Sequence, residues 1–212
     1  MDLGLKGKRV VVSGSTKGIG RAIAQQVAET VDALKAKGVN AWGSAVDAAN
    51  VKAFSDWIGE AKAALGGLDA FVANVSAMSS ARTEESWRKS FEIDILSTVT
   101  AMETAAKLLE DSASGAIVFI STPAALETAQ GPRPYAAVKA AVINYIKGMA
   151  RELAPKGIRV NTVSPGTIYF EGGVWDQRRQ SMPDLYNTML KANPVGRMGK
   201  PEEVANAAVF LA

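Results

Sequence analysis

Short apolar runs alternate along this chain with longer amphipathic stretches, and this alternation constrains the fold more than any other feature. Runs of strand length occur at 8–12, 39–46, 68–73, 116–120 and 158–163. Apolar residues recur at helical spacing in 23–34, 51–65, 84–110 and 135–154, and a last helix is expected to begin near Pro201. Strands alternating with helices predict a doubly wound parallel sheet covered on both faces, in three α/β/α layers.

Composition excludes several classes of function. The chain has 212 residues, of which 48% are hydrophobic and 21% charged, so we expect one globular domain over residues 1–212. It contains no Cys and no His, which rules out disulfides, thiolate metal sites, Ser-His-Asp chemistry and the usual zinc sites. An enzyme with this sequence must use Tyr, Lys, Asp or Glu as its acid or base, and no metal is expected.

Charge and hydropathy give no indication of a nucleic-acid or membrane partner. The net charge of +3 comes from 24 basic against 21 acidic residues, and no run of Lys and Arg gathers it into a patch. No apolar stretch approaches the ~20 residues that cross a bilayer. The N-terminus has no apolar segment behind its charges, as a signal peptide would. We therefore expect a cytoplasmic protein.

A glycine-rich turn follows the first predicted strand and opens a helix, with the sequence Ser13-Gly14-Ser15-Thr16-Lys17-Gly18-Ile19-Gly20. In this context one glycine turns the chain, one lets the backbone approach a pyrophosphate, and one lets the helix pack on the sheet. The helix N-terminus offers unpaired N–H groups and a partial positive charge to the anion. The turn therefore predicts a dinucleotide site, with an ordinary strand-to-helix turn as the alternative.

A tyrosine and a lysine, Tyr135 and Lys139, stand four residues apart on a predicted helix, so their side chains share one face. An ammonium beside a phenol favours the phenolate, and we expect Lys139 to lower the pKa of Tyr135 from ~10 towards neutral pH. Tyr135 is then a candidate general acid/base in a chain without histidine. Taken alone, the spacing is more simply explained by a solvated Tyr–Lys pair.

Further residues occur in an order that favours the catalytic interpretation. Thr122 lies at the end of a buried strand, thirteen positions before Tyr135, and Asp47 ends an earlier predicted strand. A later strand is followed by the sequence Asn161-Thr162-Val163-Ser164-Pro165-Gly166. With the glycine turn, this ordered set resembles the classical short-chain dehydrogenase/reductase family, close to its 3-oxoacyl-carrier-protein-reductase-like members. The resemblance runs from Lys8 to Ala212.

The resemblance implies a Rossmann-type fold and an enzyme that uses NADP or NAD to move a hydride between nicotinamide and a small ketone or secondary alcohol. It makes Tyr135 the acid/base, Lys139 the nicotinamide-ribose ligand and Thr122 the hydroxyl that polarises the substrate. Asp94 stands where the family has an asparagine that holds a proton-relay water. The implied cofactor-binding residues are Gly14, Ser15, Gly18, Ile19, Gly20, Asp47, Asn74, Tyr135, Lys139, Pro165, Gly166 and Ile168. Among these, Asp47 would bond the adenine, Asn74 would flank the adenosine, and Ile168 would bond the carboxamide.

Several positions depart from the family pattern. Thr122 replaces the usual serine, with Ser121 as the fallback hydroxyl, although strand alternation predicts that Ser121 points away. The carboxylate of Asp94 is expected to raise the cost of a Tyr135 phenolate. Phe170 replaces the threonine that normally follows Pro165-Gly166. We interpret these changes as tolerated variants; the alternative is a catalytically impaired dinucleotide-binding or scaffold protein.

The chain is also short between two of its motifs. Only 26 residues separate Gly20 from Asp47, where the resemblance requires a helix, the strand that selects NAD or NADP, and a second helix. The C-terminus likewise stops before the family's final strand. Either the deletion is real or these 212 residues omit part of the protein. We favour omission, and so predict a chain break between Ala24 and Asp32 and no bound dinucleotide, because the absent loop normally clasps the adenosine.

Residues 167–200 are expected to form a lid over the substrate, with Gly172-Gly173 as its hinge. The adjacent Arg178 and Arg179 could meet a phosphopantetheine or an acidic carrier protein, or could simply be solvated. The helix at 84–110 and the helix after Tyr135 carry more apolar surface than one sheet face covers. By resemblance these two helices would form the four-helix interface of a homotetramer.

Overall fold

The fold is described from a computed structural model of the 212-residue chain, for residues 3, 5–15, 18–20, 22–23, 42–79, 81–127 and 131–212. Within these ranges four strands form one sheet: β1 is Val10–Val12, β2 is Ala70–Ala73, β3 is Ala116–Ile120 and β4 is Arg159–Val163. The strand order is β1-β2-β3-β4, and every neighbouring pair is parallel. This sheet and its flanking helices confirm the predicted Rossmann-type α/β fold.

Helices cover both faces of the sheet, which is why every residue of β2 and β3 is buried. On one face Phe71 and Ile117 pack against the helices Val51–Leu65, Thr98–Leu109 and Pro134–Leu153. On the other face Val72 and Val118 pack against the helical residues 22–23 and the helix Pro201–Leu211. The alternate residues of each strand therefore feed two separate cores, and the molecule has three layers.

Local sequence signals fix the bounds of the helix Val51–Leu65. The Asn50 side chain accepts a hydrogen bond from the Ala53 N–H at 3.0 Å, and Gly66 ends the helix with φ of 71°. Its buried side chains recur at helical spacing, namely Phe54, Trp57, Ile58 and Ala61. The other described helices, including two short 3₁₀ turns, are Glu84–Ser90, Pro123–Ala125, Ala154–Lys156, Val174–Ser181 and Pro183–Ala192.

The long helix predicted over 84–110 is not uniform. It begins as the α-helix Glu84–Ser90, widens into a π-helix over Phe91–Ser97, and continues as the α-helix Thr98–Leu109. The Thr98 hydroxyl donates to the carbonyl of Ile93 at 2.9 Å within the widened segment. Such π segments occur often at functional sites, and this one carries the buried Asp94.

The strand predicted over 39–46 is wrong where the structure describes it. Residues 42–46 are irregular, largely exposed and join no sheet among the described residues. Trp42 of this run packs instead against Trp57 of the helix Val51–Leu65, with the ring centres 6.1 Å apart and the ring planes tilted by 37°. The chain break predicted between Ala24 and Asp32, and the helix expected beyond Ile23, lie outside the described residues.

The segment predicted as a lid, 167–200, leaves the sheet after β4 and returns before the last helix. It contains the helices Val174–Ser181 and Pro183–Ala192. Its two ends are tied together, since the Tyr169 N–H donates to Gly199 O and the Gly199 N–H donates to Thr167 O, each at 2.9 Å. In the described part of the chain, no helix is long and apolar enough to cross a membrane.

Candidate functional site

The carboxyl ends of all four strands open into one cleft of about 700 Å³, a size typical of small-molecule sites. Open α/β sheets bind ligands at this edge. The cleft brings together eleven of the residues predicted from the sequence: Gly14, Gly18, Ile19, Gly20, Asn74, Thr122, Tyr135, Lys139, Pro165, Gly166 and Ile168.

The glycine turn forms one end of this cleft. Gly14 and Gly18 have φ of 66° and 58°, in the left-handed region that glycine tolerates. A Cβ on Gly20 would clash with the carbonyl oxygen of Gly14 and with Nδ2 of Asn74. Residues 18–20 are already helical, so the helix N-terminus faces the cleft. The turn therefore has the close backbone packing that a pyrophosphate site requires.

Asn74 holds the glycine turn in place. Its Nδ2 donates to Gly14 O at 3.1 Å and to Ser13 O at 3.2 Å, and its backbone N–H donates to the Ser13 hydroxyl at 3.0 Å. The sequence placed Asn74 only near an adenosine and missed this contact with the turn. Ser15 is half-buried in the same turn and does not line the cleft.

Lys139 and Asp94 form a buried ion pair behind the cleft. Their side chains are 1% and 0% exposed, and Lys139 Nζ lies 3.6 Å from Asp94 Oδ1. Nζ also donates to Ile120 O at 3.2 Å and lies 4.6 Å from the centre of the Phe119 ring. The other oxygen of Asp94 accepts the Ala77 N–H at 3.3 Å. The two charges therefore balance each other inside the protein.

The pKa of Tyr135 is shifted in the direction opposite to the one expected from Lys139. Burial, and secondly the negative charge of Asp94, raise the pKa of Tyr135 to about 12, whereas a hydrogen bond with Thr122 lowers it. Burial also lowers the pKa of Lys139, against the opposing effect of Asp94. Lys139 Nζ is 5.9 Å from the centre of the Tyr135 ring, farther than from the carboxylate. The expectation that Lys139 brings Tyr135 towards neutral pH is thus wrong here, whereas Asp94 acts in the predicted direction.

Two residues with hydroxyl groups, Ser121 and Thr122, follow β3 and are among those that line the cleft. Thr122 is half-buried, its hydroxyl accepts the Ala124 N–H at 3.3 Å, and it lies near enough to Tyr135 to lower the pKa of that residue. Ser121 is 4% exposed and also lines the cleft, and its hydroxyl has no hydrogen-bond partner among the described residues. Because that hydroxyl is buried and the Ser121 N–H still pairs with Val163 O at 2.8 Å, the expectation that the side chain of Ser121 points away stays a prediction.

Like Ser15, Asp47 is a predicted cofactor ligand that does not line the cleft. Its side chain is exposed and accepts the Ala49 N–H at 2.9 Å, shaping the turn before the helix Val51–Leu65. The predicted strand that would carry it to the sheet edge is not formed in residues 42–46. Its contact with adenine therefore stays a prediction.

Three further cleft residues escaped the sequence analysis or were given other roles. The Phe170 ring lies against Gly18, where an added Cβ would be 2.5 Å from the ring. Arg133 and Arg178 line the end of the cleft near Tyr135. The sequence does contain a signal for the backbone of Arg133. A residue before proline is held extended, and Arg133 precedes Pro134 at the start of the helix that carries Tyr135.

The residues present fit a nicotinamide dinucleotide at its pyrophosphate and nicotinamide ends. The observation that carries this fit is the glycine cradle, in which no Cβ could be accommodated at Gly20. The described residues contain no group of three or more acidic side chains that could hold a metal ion.

Comparison with known proteins agrees with this geometry. A family model described as enoyl-(acyl carrier protein) reductase matches residues 18–212. Isoepoxydon dehydrogenase patN of Aspergillus clavatus is 33% identical over 229 residues, covering 98% of this chain and 88% of that protein. The 3-oxoacyl-[acyl-carrier-protein] reductase FabG of Staphylococcus aureus is 30% identical over 227 residues, covering 97% of this chain and 90% of that protein. The chain therefore belongs to the short-chain dehydrogenase/reductase family of NAD(P)-dependent oxidoreductases, as predicted.

The alignments also bear on the length of the chain. The alignment with isoepoxydon dehydrogenase patN of Penicillium expansum, at 33% identity, spans 233 positions and covers 100% of this chain and 90% of that protein. Because this chain has 212 residues, that relative carries residues with no counterpart here. That these residues belong between Gly20 and Asp47 stays a prediction.

Proposed function

We propose that the protein reduces a small ketone to a secondary alcohol, with Tyr135 as the acid that protonates the carbonyl oxygen. One observation carries the proposal: Tyr135 and Thr122 line the same cleft, near enough for Thr122 to lower the pKa of Tyr135, and the glycine turn closes the other end of that cleft. A carbonyl oxygen bound there could accept hydrogen bonds from both hydroxyls.

A bound NADPH or NADH supplies the hydride. The turn from Gly14 to Gly20 would hold its pyrophosphate, and Tyr135 and Lys139 would hold the nicotinamide ribose. The backbone at Ile168 would bond the carboxamide beside Pro165 and Gly166. The strand that would select between the two dinucleotides is the one that the short spacing from Gly20 to Asp47 leaves out.

The raised pKa of Tyr135 favours donation of a proton to a ketone over removal of a proton from an alcohol. With a pKa of about 12, the phenol is protonated at neutral pH and so is present as the acid that ketone reduction requires. Thr122 would polarise the carbonyl oxygen, and Asp94 would position Lys139 through their ion pair. Oxidation of the alcohol would instead require the phenolate, and should therefore be faster at alkaline pH.

The test is oxidation of NADPH and NADH in the presence of a panel of ketones. Tyr135→Phe removes the proton donor and should lower kcat by on the order of 10²-fold or more. Tyr145→Phe is the matched control, because Tyr145 lies on the same helix, is 40% exposed and bonds Glu103. Retained turnover in Tyr135→Phe, with Tyr145→Phe equally active, would refute the assignment.

A second candidate is a dinucleotide-binding protein without turnover. It is favoured by the buried carboxylate of Asp94, which makes the phenolate of Tyr135 costly and replaces the family's asparagine. Tight binding of NADPH or NADH in a titration, with no ketone of the panel reduced, would support this candidate against the first.

We also propose that the protein is a homotetramer. The segment 84–109 and the helix Pro134–Leu153 expose large apolar side chains on the side of the sheet where Phe71 and Ile117 are packed. Trp87, Phe91, Leu96 and Tyr145 are between 40% and 50% exposed. An isologous contact between copies would cover them.

A further inference from the structure

Two arginines from different segments face the same end of the cleft. Arg133 precedes the helix Pro134–Leu153 with φ of −145° and ψ of 142°, and stands two residues before Tyr135. Arg178 lies on the lid helix Val174–Ser181. Both line the cleft and both are half-buried. The lid therefore brings a second guanidinium to the place where the first one borders the proposed reaction centre.

The guanidinium of Arg178 is held in a fixed environment. Its central carbon lies 4.7 Å from the centre of the Trp175 ring, and Trp175 is 9% exposed. Stacking on an aromatic face orients the planar group and keeps its N–H donors free to point along the plane. An arginine oriented in this way is better prepared to bind an anion than one on a solvated helix face.

The charges around this end of the cleft favour an anion. Burial first, and the positive charge of Arg133 second, lower the pKa of Arg178, so the two guanidinium groups lie near enough to repel each other. The cation deeper in the cleft, Lys139, is already matched by Asp94. Glu127 is the single acidic residue among the described residues that line the cleft, and it is exposed. A bound anion would relieve the repulsion.

We propose that Arg133 and Arg178 form a carboxylate-binding subsite, and that the substrate is a ketone or secondary alcohol that carries a carboxylate away from its reacting carbon. Guanidinium groups bind carboxylates through paired, charge-assisted hydrogen bonds. Binding at this subsite would place the carbonyl oxygen beside Tyr135 and Thr122. This assignment of substrate class rests on the proposed ketone reduction.

The neighbouring Arg179 provides a matched control on the same helix. It is exposed, pairs with Asp176 at 3.2 Å and lies 5.3 Å from the centre of the Tyr169 ring. It does not line the cleft. A subsite inside the cleft thus involves Arg178 and not Arg179, whereas an acidic partner on the surface would meet both.

The experiment compares levulinate, and its homologues with one, two and three further methylenes, with the corresponding methyl esters. Loss of a charged hydrogen-bonded pair corresponds to on the order of 10- to 100-fold, so the best-fitting acid should exceed its ester in kcat/KM by that factor. Arg133→Met and Arg178→Met should bring the acid-to-ester ratio towards one, and Arg179→Met should preserve it. Arg178→Lys keeps the charge without the paired donors and should give an intermediate ratio.

Calorimetric titration of the same acids and esters separates this proposal from the proposed reaction. If no ketone is reduced, the proposed reaction is wrong. The subsite is still supported in that case when the wild-type protein binds an acid more tightly than its ester and when Arg178→Met or Arg178→Lys loses this preference. Equal treatment of every acid and its ester by the wild-type protein, in turnover and in binding, overturns the subsite. Equal losses in Arg178→Met and Arg179→Met also overturn it.

Discussion

Replacing Asp94 by asparagine should destabilise this protein more than the loss of any surface charge. The substitution keeps the size of the side chain and an oxygen that can accept the Ala77 N–H, but it leaves the ammonium of Lys139 buried without a counter-charge. At 3.6 Å and an effective dielectric constant of about 20, the lost attraction is about 5 kcal/mol. Removal of one partner from a buried pair costs about 3–5 kcal/mol in total, so we expect the free energy of unfolding to fall by that amount.

Urea denaturation at neutral pH would measure the change, with Asp56→Asn as the control. Asp56 pairs with Lys52 at 2.6 Å on an exposed helix face, where the side chains are 55% and 85% accessible, so its loss should change stability very little. The double variant Asp94→Asn/Lys139→Met removes both buried charges and should regain most of the stability. If Asp94→Asn were no less stable than Asp56→Asn, the ion pair would not hold the interior in the way described.

The same variant should depend on pH in a defined direction. Burial lowers the pKa of Lys139 and Asp94 opposes that effect, so without Asp94 the pKa in the folded protein falls further. The unfolded chain then binds more protons than the folded protein up to about pH 10.4, and stability rises with pH in that window. The deficit of Asp94→Asn should therefore shrink between neutral pH and about pH 10; a deficit that grows with pH would contradict this account.

Two other substitutions test the cofactor cradle and the proposed assembly. Gly20→Ala inserts a Cβ against Gly14 O and Asn74 Nδ2 and should weaken dinucleotide binding in a fluorescence titration by about 10-fold or more; Gly59→Ala, which meets nothing within 4 Å, should bind normally, and equal affinities would contradict the cradle. Phe91→Glu, at a side chain that is 50% exposed, should dissociate the proposed tetramer in sedimentation experiments, whereas Val195→Glu, at 72% exposed, should not; a monomeric wild-type protein would count against the assembly.

Elements with local signals could be predicted from the sequence, and some agree to the residue. The strand Ala116–Ile120 is an uninterrupted apolar run that is buried throughout, and the helix Val51–Leu65 is bounded by a capping asparagine and a left-handed glycine. The π segment Phe91–Ser97 has no comparable signal, because its extra width depends on how the long helix packs against its neighbours. The strand predicted at 39–46 is not formed over its described residues 42–46, although the sequence pattern indicated one.

The candidate site shows the same division. The glycine turn, Tyr135 and Thr122 are each found from their order along the chain, and the fold then brings them into one cleft. Arg133 and Arg178 are brought to the same end of the cleft by the position of the lid segment, and no local sequence spacing predicts that position. The pKa of Tyr135 was predicted in the wrong direction because the spacing shows the lysine but neither the burial of Tyr135 nor the nearby charge of Asp94, which together raise that pKa.

The ion pair between Asp94 and Lys139 also offers a chemical reason for an aspartate where the family has an asparagine. A chain without histidine needs another group to deliver a proton, and a tyrosine can do so at neutral pH only while it stays protonated. The buried carboxylate keeps Lys139 positioned through an ion pair, and its negative charge adds to burial, the larger cause, in raising the pKa of Tyr135 to about 12. We infer that one side chain serves both purposes, and that it biases this site towards donating a proton to a ketone rather than removing one from an alcohol.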